Sequence, residues 1–279
     1  MIRYRTMKPD DIPAALSLCR YAGWNQISRD WEIFLLLSPD NCRVAEQEKV
    51  VGTVTTVRFQ NRFSWIGMVL VDPEKQQQGI GMQLLGEALQ ILQHQETVKL
   101  DATPSGRKVY LKLNFVDEYP LTRMHSRSAE SHLITSAARV VQKNDLSKIF
   151  EFDCKIFGAN RQPLLEWQFN GAPEYAFLIE DKNEIQGYCL GRAGQHAIHI
   201  GPVIANSLDI AKDLVSAVLS NCIGHAVILD ISNAGKHWMP WLTSIGFLEQ
   251  RPFFRMYLGP NRYPGEPQKQ FAILGPEFG

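Results

Sequence analysis

The segment of the sequence best suited to chemistry is a glycine-containing turn between an apolar strand and a helix. The strand ends at Val69-Leu70-Val71, and Gly79 and Gly81 follow just before an amphipathic stretch. Unpaired N–H groups and the positive end of a helix dipole meet at such a turn, and glycine lets a phosphate approach the main chain. The pattern predicts an anion site, although a turn without a ligand has the same local sequence. The backbone N–H groups predicted to meet the anion are those of Gln77, Gln78, Gly79, Ile80, Gly81 and Met82.

Two other phosphate-binding motifs fit this segment less well. The dinucleotide fingerprint needs a third glycine and a first parallel strand, whereas a predicted antiparallel hairpin within residues 43–59 precedes this turn. The Walker loop needs Gly-Lys-Ser/Thr, which does not follow here. Neither of these two nucleotide-binding classes is therefore predicted.

The segment resembles motif A of the GNAT superfamily of N-acetyltransferases. That motif reads Gln or Arg, two residues, Gly, one residue, then Gly or Ala, and Gln76, Gly79 and Gly81 fill it. In the superfamily a later helix carries a tyrosine near the CoA sulfur, followed by a Gly-Phe pair. Tyr110 matches the tyrosine, and Asn114 stands where the glycine is usual. Asparagine also tolerates a left-handed helix end, so this departure is a modest one.

The resemblance implies direct transfer of an acetyl group from acetyl-CoA to a primary amine of a small molecule in a ternary complex. A splayed strand around Val69–Val71 would hold the pantetheine chain and offer a backbone N–H to the developing oxyanion. Tyr110 would protonate the departing thiolate, and its alternative role is that of a core tyrosine. A catalytically silent acyl-CoA sensor and a structural interaction protein are the competing functions, but a pure binder needs no proton donor.

Residues for the acceptor amine are harder to assign. Trp24 and Asn25 lie in the loop between the first two predicted helices, where they could touch a substrate, although tryptophan is more often a core residue. A general base is needed to deprotonate an ammonium acceptor, and Asp72, Asp101 and Asp117 all lie near the motif. The sequence does not choose among them, and a water relay is an equal alternative.

The elements that would position these residues occur in the same order twice. The first half is predicted to contain strands at 2–6, 43–45, 50–59, 65–71, 98–101 and 115–124, and helices at 10–19, 29–37, 84–92 and 105–113. The second half is predicted to contain helices at 145–156 and 208–219, and strands at 175–180, 185–192 and 227–230 with another ending near 204. Phe115 also precedes Arg123-Met124 by the interval that separates Phe247 from Arg255-Met256. These repeats favour a duplicated α/β domain.

We therefore expect an α/β fold with mixed sheets, organised as two tandem GNAT-like domains. Each domain is expected to be a mostly antiparallel mixed sheet flanked by helices. The predicted boundaries are 1–130 for the catalytic domain, 131–258 for a degenerate copy that shapes the acceptor site, and 259–279 for a Pro/Gly-rich C-terminal tail.

The second copy lacks the chemistry of the first at two aligned positions. Leu242 takes the place of Tyr110 and cannot donate a proton. Asp209 takes the place of Gly79, and a carboxylate is a poor neighbour for pyrophosphate. The sequence thus predicts one acyl-CoA site per chain, in the first copy.

Composition excludes several partner classes. Lys plus Arg and Asp plus Glu number 29 each, so the basic surface typical of nucleic-acid binding is not expected. The five cysteines are odd in number and lack zinc-type pairing, which predicts reduced thiols and no metal site. The strongest apolar run, 33–37, is too short for a membrane span, and the first residues lack an apolar signal region. We expect a cytoplasmic monomer or homodimer that uses no metal and binds neither nucleic acid nor membrane.

Overall fold

The computed structural model describes residues 1–129, 137–232 and 238–279, and within them one mixed sheet of 13 strands is flanked by helices. The first copy contains β1 (Arg3–Thr6), α1 (Ile12–Tyr21), α2 (Ser28–Leu37), β2 (Arg43–Gln47), β3 (Lys49–Phe59), β4 (Phe63–Val71), α3 (Ile80–Ile91), β5 (Val98–Ala102), α4 (Pro104–Leu111) and β6 (Val116–Ser126). The second contains β7 (Arg139–Val140), α5 (Leu146–Phe157), α6 (Gln162–Gly171), β8 (Phe177–Asp181), β9 (Glu184–Arg192), β10 (Ile198–Ala205), α7 (Leu208–Ser220), β11 (Val227–Ser232), α8 (Trp238–Ser244) and β12 (Leu248–Leu258). A final strand, β13, spans Gln270–Ala272. The same element order therefore occurs twice, and the predicted fold class is confirmed.

The duplication is visible in packing as well as in order. Gly52 lies where α3 crosses β3, and a Cβ there would lie 2.9 Å from Leu84 Cδ1. Gly187 has the same role in the second copy, where a Cβ would lie 3.0 Å from Leu214 Cδ1. Each glycine lets an amphipathic helix approach its sheet closely. This equivalence supports the alignment of Leu84 with Leu214, which places Asp209 opposite Gly79.

The two copies exchange their last strands within one sheet. The strand order is β1-β2-β3-β4-β5-β12-β6-β11-β13-β10-β9-β8-β7. Strand β12 of the second copy lies between β5 and β6 of the first, and β6 pairs in turn with β11 of the second. The domain boundary predicted near residue 130 lies outside the described residues. Because each copy supplies a strand to the other, neither copy's sheet is complete alone.

Reciprocal ion pairs join the exchanged strands. The Arg123 guanidinium donates two hydrogen bonds of 2.7 and 2.6 Å to Asp230, and that of Arg255 donates two of 2.9 and 2.8 Å to Asp101. All four side chains are at most 5% exposed. The repeated spacing in the sequence therefore marks two equivalent bridges, each between an arginine of one copy and an aspartate of the other. Buried pairs of this kind specify one register, because a lone partner would be an uncompensated charge.

The segment predicted as a C-terminal tail is part of the core. Strands β10 and β11 pair in parallel at only two positions and then diverge, and β13 pairs with both of them in the gap. Beyond it, Ile273, Leu274 and Phe278 are fully buried. Gly67 lets this segment lie against β4, since a Cβ there would lie 2.7 Å from the backbone oxygen of Glu277.

The two faces of the first copy's sheet carry different elements. On one face, which we call the α3–α4 face, Leu84, Leu100 and Phe115 belong to a core shared with α3 and α4. On the other, the α1–α2 face, Trp31 and Trp65 belong to a core that also includes α5 and α6.

None of the helices in the described ranges combines the length and the apolar content that a membrane span needs.

Candidate active site

A cavity of about 460 Å³ lies where β4 and β5 diverge. These strands pair in parallel only at Ser64–Val98 and Trp65–Lys99, and the gap beyond is left open. It is lined from the α3–α4 face by Ile66, Val69, Val71, Lys75, Gln76, Gln77, Gly79, Ile80, Gly81, Met82, Leu85, Thr103, Ser105, Gly106, Val109 and Tyr110, and elsewhere by Trp24, Gln26, Gly67, Met68, Asp101, Arg123, Arg251, Phe253, Pro276 and Glu277. The first set contains most of the predicted acyl-CoA residues. The cavity therefore passes through the sheet and connects its two faces.

A bulge in β4 shapes the middle of the cavity. The pairing with β3 shifts register between Thr53 and Thr55, and Met68 takes a left-handed φ of 52°. The Thr53 hydroxyl donates to the Met68 carbonyl at 2.8 Å, which stabilises this unusual turn. Val69 and Val71 line the cavity, whereas Leu70 is buried in the opposite core. The prediction of a splayed strand here agrees with this geometry.

The N-terminus of α3 opens onto the same cavity. Its N-cap, Gly79, has a left-handed φ of 81°, and Gln77 before it has a φ of 62°. No side chain in the described ranges caps the first N–H groups, and a Cβ built on Gly79 would meet no described atom within 4 Å. Gln76 and Gly81 also line the cavity, but Gln78 does not. Backbone donors and the helix dipole thus point into open space large enough for an anion.

The N-terminus of the matching helix in the second copy is capped by a side chain. At the N-terminus of α7 the Ser207 hydroxyl accepts from the Ile210 N–H at 3.3 Å. Asp209 is exposed and pairs with Lys212. The gap between β10 and β11, which corresponds to the open gap in the first copy, holds β13. In the described residues, the Ser207 cap and β13 thus occupy the positions that are open in the first copy.

Tyr110 lines the cavity beside the β4 bulge and the N-terminus of α3. It belongs to α4, whose N-cap Thr103 accepts from the Gly106 N–H at 3.2 Å. Its ring packs 5.9 Å from that of Phe115 and against Gly106, whose Cβ would lie 3.1 Å from Tyr110 Cε2. Its hydroxyl makes no hydrogen bond to the part of the chain that the structure describes, and burial raises the pKa of Tyr110 to about 12. The phenol therefore carries its proton throughout the neutral range.

The equivalence of Tyr110 and Leu242 is structural. The Phe115 N–H donates to the Tyr110 carbonyl at 3.2 Å, and the Phe247 N–H donates to the Leu242 carbonyl at 3.0 Å. Leu242 is fully buried among apolar side chains. The same turn thus follows both helices, but only the first presents a hydroxyl.

The two residues predicted for the acceptor have different places. Trp24 lines the cavity. Asn25 does not, because its side-chain amide donates to the Ala197 carbonyl at 2.9 Å and accepts from the His196 and Ala197 N–H groups at 2.9 and 3.0 Å. Its position fixes the Trp24 loop against the second copy.

Of the three candidate bases, one reaches the cavity. Asp72 caps the short turn after β4 and pairs with Lys49, and Asp117 pairs with Arg107 at the surface. Asp101 lines the cavity, but both of its oxygens accept from Arg255. Burial outweighs the arginine charge and raises the pKa of this carboxyl. Asp101 is thus held in the ion pair with Arg255 that joins the two copies.

A fourth carboxylate, Glu277, was missed because it lies in the segment predicted as a tail. It is 3% exposed, lines the cavity and accepts from Arg192, which also lies 3.0 Å from Asp30. The apolar run Phe271–Leu274 just before it was the available signal of a buried segment. Glu277 is therefore the cavity carboxylate contributed by the last part of the chain.

Arg123 and Arg251 add positive charge on the α1–α2 face of the cavity. Neither was predicted, since isolated arginines in β6 and β12 carry no motif. Within the described residues no group of three or more His, Cys, Asp or Glu could hold a metal ion.

Family models match both copies. Residues 38–117 and residues 149–272 each match a model described as an acetyltransferase (GNAT) domain. Together these ranges span well over half of the chain. Among curated proteins, a holothin acyltransferase of Pseudoalteromonas sp. (strain SANK 73390) is 25% identical over 83% of this chain and 79% of its own length. YitH of Bacillus subtilis (strain 168), an uncharacterised N-acetyltransferase, is 23% identical over 85% of each chain.

Solved structures agree on the fold. A protein from Pyrococcus horikoshii, provisionally assigned as an acetyltransferase, superposes with a TM-score of 0.82 at 24% identity, covering 100% of this chain and 96% of its own. A tandem GNAT protein from the clavulanic acid biosynthesis pathway superposes with a TM-score of 0.64 at 10% identity, covering 93% and 99%. With two matching domains and the duplicated architecture, the chain belongs to the GNAT superfamily of acetyltransferases as a tandem-domain member.

Proposed function

We propose that the protein transfers the acetyl group of acetyl-CoA to a primary amine of a small molecule, directly and in a ternary complex. The observation that carries this proposal is the open gap between β4 and β5. It brings an uncapped helix N-terminus, the bulged strand and Tyr110 to one cavity that passes through the sheet. The name of the curated holothin acyltransferase supports acyl transfer as the general reaction.

Acetyl-CoA fits the α3–α4 side of this cavity. Its pyrophosphate would accept from N–H groups in the 77–82 segment, where Gly79 leaves room. The pantetheine chain would run beside Val69 and Val71 in the gap that β13 fills in the second copy. The thioester would then lie near the Met68 bulge, and Tyr110 would lie on the same side.

The chemistry follows from this placement. The neutral amine attacks the acetyl carbonyl, a C–N bond forms and the C–S bond breaks. Backbone N–H groups near the bulge would stabilise the developing oxyanion. Tyr110 donates its proton to the departing sulfur, so that CoA leaves as the thiol; the amine's proton passes to solvent, and the Tyr110 phenolate takes up a proton from solvent. With its pKa near 12, the phenol has this proton in place at neutral pH.

The acceptor would enter from the α1–α2 face. Trp24 of the first copy and Arg251 and Phe253 of the second line that side, together with Glu277. The second copy thereby shapes the acceptor pocket without binding its own acetyl-CoA.

Calorimetric titration of the full chain with acetyl-CoA, combined with an assay of thiol release over a panel of amines, tests the proposal. We expect one acetyl-CoA per chain. Gly79→Asp should abolish binding but preserve the fold, because its carboxylate opposes phosphate. Tyr110→Phe should keep acetyl-CoA affinity and lower kcat about 10²–10⁴-fold. Binding without turnover on any amine would instead indicate an acyl-CoA sensor, and two equivalent sites per chain would contradict the assignment.

A further inference from the structure

Three charged residues stand side by side across the exchanged strands. Asp230 of β11 is in register with Arg123 of β6, and Arg123 is in register with Arg251 of β12. Side chains at paired positions lie on one face of a sheet and interact, and like charges there repel. Asp230 forms a bidentate pair with Arg123 and also lies 3.0 Å from His199 Nε2. The Arg251 cation is thus left beside another cation.

The second arginine beside Arg123 has no counterpart at the equivalent position of the other copy. Tyr119 is the fourth residue after Phe115, and Arg251 is the fourth after Phe247, so the two positions correspond. Tyr119 is in register with Arg255, whose guanidinium donates to its hydroxyl at 2.7 Å. The Arg255–Asp101 bridge therefore has a hydrogen-bond acceptor, Tyr119, opposite its arginine. The Arg123–Asp230 bridge has a second arginine at the corresponding position.

Arg251 has no carboxylate partner among the described residues, and its buried Nε makes no hydrogen bond. Its guanidinium carbon lies 5.1 Å from the centre of the Phe253 ring, and Asp230 and Glu277 attract it at longer range without forming an ion pair. Burial, and then repulsion by Arg123, lowers the pKa of Arg251 to about 10. A cation in this position lowers the stability of the fold, and an anion in the cavity would offset that cost.

The position of Arg251 in the cavity indicates whether the anion would belong to acetyl-CoA or to the acceptor. Arg251, Phe253 and Arg255 alternate along β12 on one face, and Met256 packs with α3 and α4 on the other. The helix N-terminus and Tyr110, which would take acetyl-CoA, lie on the face of Met256. Arg251 therefore faces the acceptor side of the cavity. Glu277 lines this side as well, which provides a carboxylate for an ammonium group.

From this arrangement we infer that the acceptor is an amino acid or a related amino-carboxylate, whose carboxylate is bound by Arg251. The inference rests on the proposed acetyl transfer to an amine and specifies its substrate class. A guanidinium offers parallel N–H donors that match a carboxylate, and a charge-assisted bond of this kind changes affinity by about 10- to 100-fold.

The probes that test it are pairs of L-amino acids and their carboxamides, which share the amine and side chain and differ in the carboxylate. We expect at least one acid to be acetylated with a kcat/KM about 10- to 100-fold above that of its amide. Arg251→Gln should remove this preference, and Arg251→Lys should retain part of it. The exposed Arg20 on α1 supplies the control, since Arg20→Gln removes one positive charge away from the cavity and should leave the preference intact.

Calorimetry of the CoA-saturated chain with the same pairs provides a readout that does not depend on turnover. Acid binding that is lost in Arg251→Gln supports the inference even if no amine is acetylated, in which case only the proposed reaction fails. Equal use or binding of acids and amides by the native chain overturns it, as does the absence of binding by any acid. Weaker acetyl-CoA binding by Arg251→Gln would assign the anion to the cofactor and also overturn it.

Discussion

Gly106→Ala tests the role of Tyr110 without changing the tyrosine. The added Cβ would lie 3.1 Å from Tyr110 Cε2, 3.6 Å from Cζ and 3.3 Å from the Thr103 hydroxyl. Carbon atoms in contact settle at about 3.5–4.0 Å, so the ring must move by roughly 0.5 Å. A misplacement of about 1 Å can cost about 10²-fold in rate, and half of that displacement corresponds to about 10-fold in kcat.

The free energy of unfolding should rise slightly in Gly106→Ala, whereas its kcat should fall. Gly106 lies inside α4, where alanine is favoured over glycine by about 0.5–1 kcal/mol. Gly86→Ala is the matched control, because Gly86 lies inside α3 and a Cβ there meets nothing within 4 Å. It should gain similar helix stability and keep its turnover.

Thermal unfolding, acetyl-CoA titration and steady-state turnover of the two variants separate the possibilities. The expected result is a Gly106→Ala protein that is at least as stable as the native chain, binds acetyl-CoA normally and turns over about 10-fold more slowly. Native turnover by Gly106→Ala would refute the requirement for a precisely placed ring. Loss of acetyl-CoA binding would show that the methyl group blocks the cofactor path instead.

Three further outcomes follow from the described contacts. Gly67→Ala, whose Cβ would lie 2.7 Å from the Glu277 backbone oxygen, should cost about 1–3 kcal/mol in urea unfolding and lower turnover, since the segment carrying Glu277 must shift; native-like values for both would contradict this. Arg123→Met should lower the free energy of unfolding by about 3–5 kcal/mol, because Asp230 keeps only its contact with His199, and adding Asp230→Leu should recover much of this loss; additive losses would argue against a coupled pair. Because burial raises the pKa of Tyr110 to about 12, its proton is lost only as the pH rises through that value. The kcat profile should then lack a descending limb from Tyr110 between about pH 7 and 10, and a limb there that disappears in Tyr110→Phe would count against the assignment.

Local sequence patterns predicted most of the first copy. The strand, the Gly79 turn and the helix that follows are each encoded by neighbouring residues, so their places could be predicted without tertiary information. Tyr110 could be placed because the turn at Asn114, with a left-handed φ of 64°, fixes its distance from the next strand. The helix α6 was missed, although the repeat offered α2 as its counterpart.

The strand exchange could not be predicted from local patterns. The periodicity of β6 and β12 shows which side chains face a core, but it does not show which strand is the neighbour. The matched intervals to Arg123 and Arg255 indicate a duplication. That each arginine pairs with the other copy's aspartate depends on which strands lie adjacent, and this is a tertiary property.

The departures from internal symmetry have a common consequence. Leu242 in place of Tyr110 leaves the second copy without a hydroxyl at this position, and β13 fills the gap that remains open in the first. Arg251 in place of Tyr119 puts a second-copy cation into the first copy's cavity. The first two changes fill the second copy's counterpart of the cavity and leave it without the hydroxyl, and the third makes the second copy part of the cavity wall in the first. Because β12 and Glu277 also belong to that cavity, a chain shortened near residue 130 would lose one wall of the site along with its sheet partner.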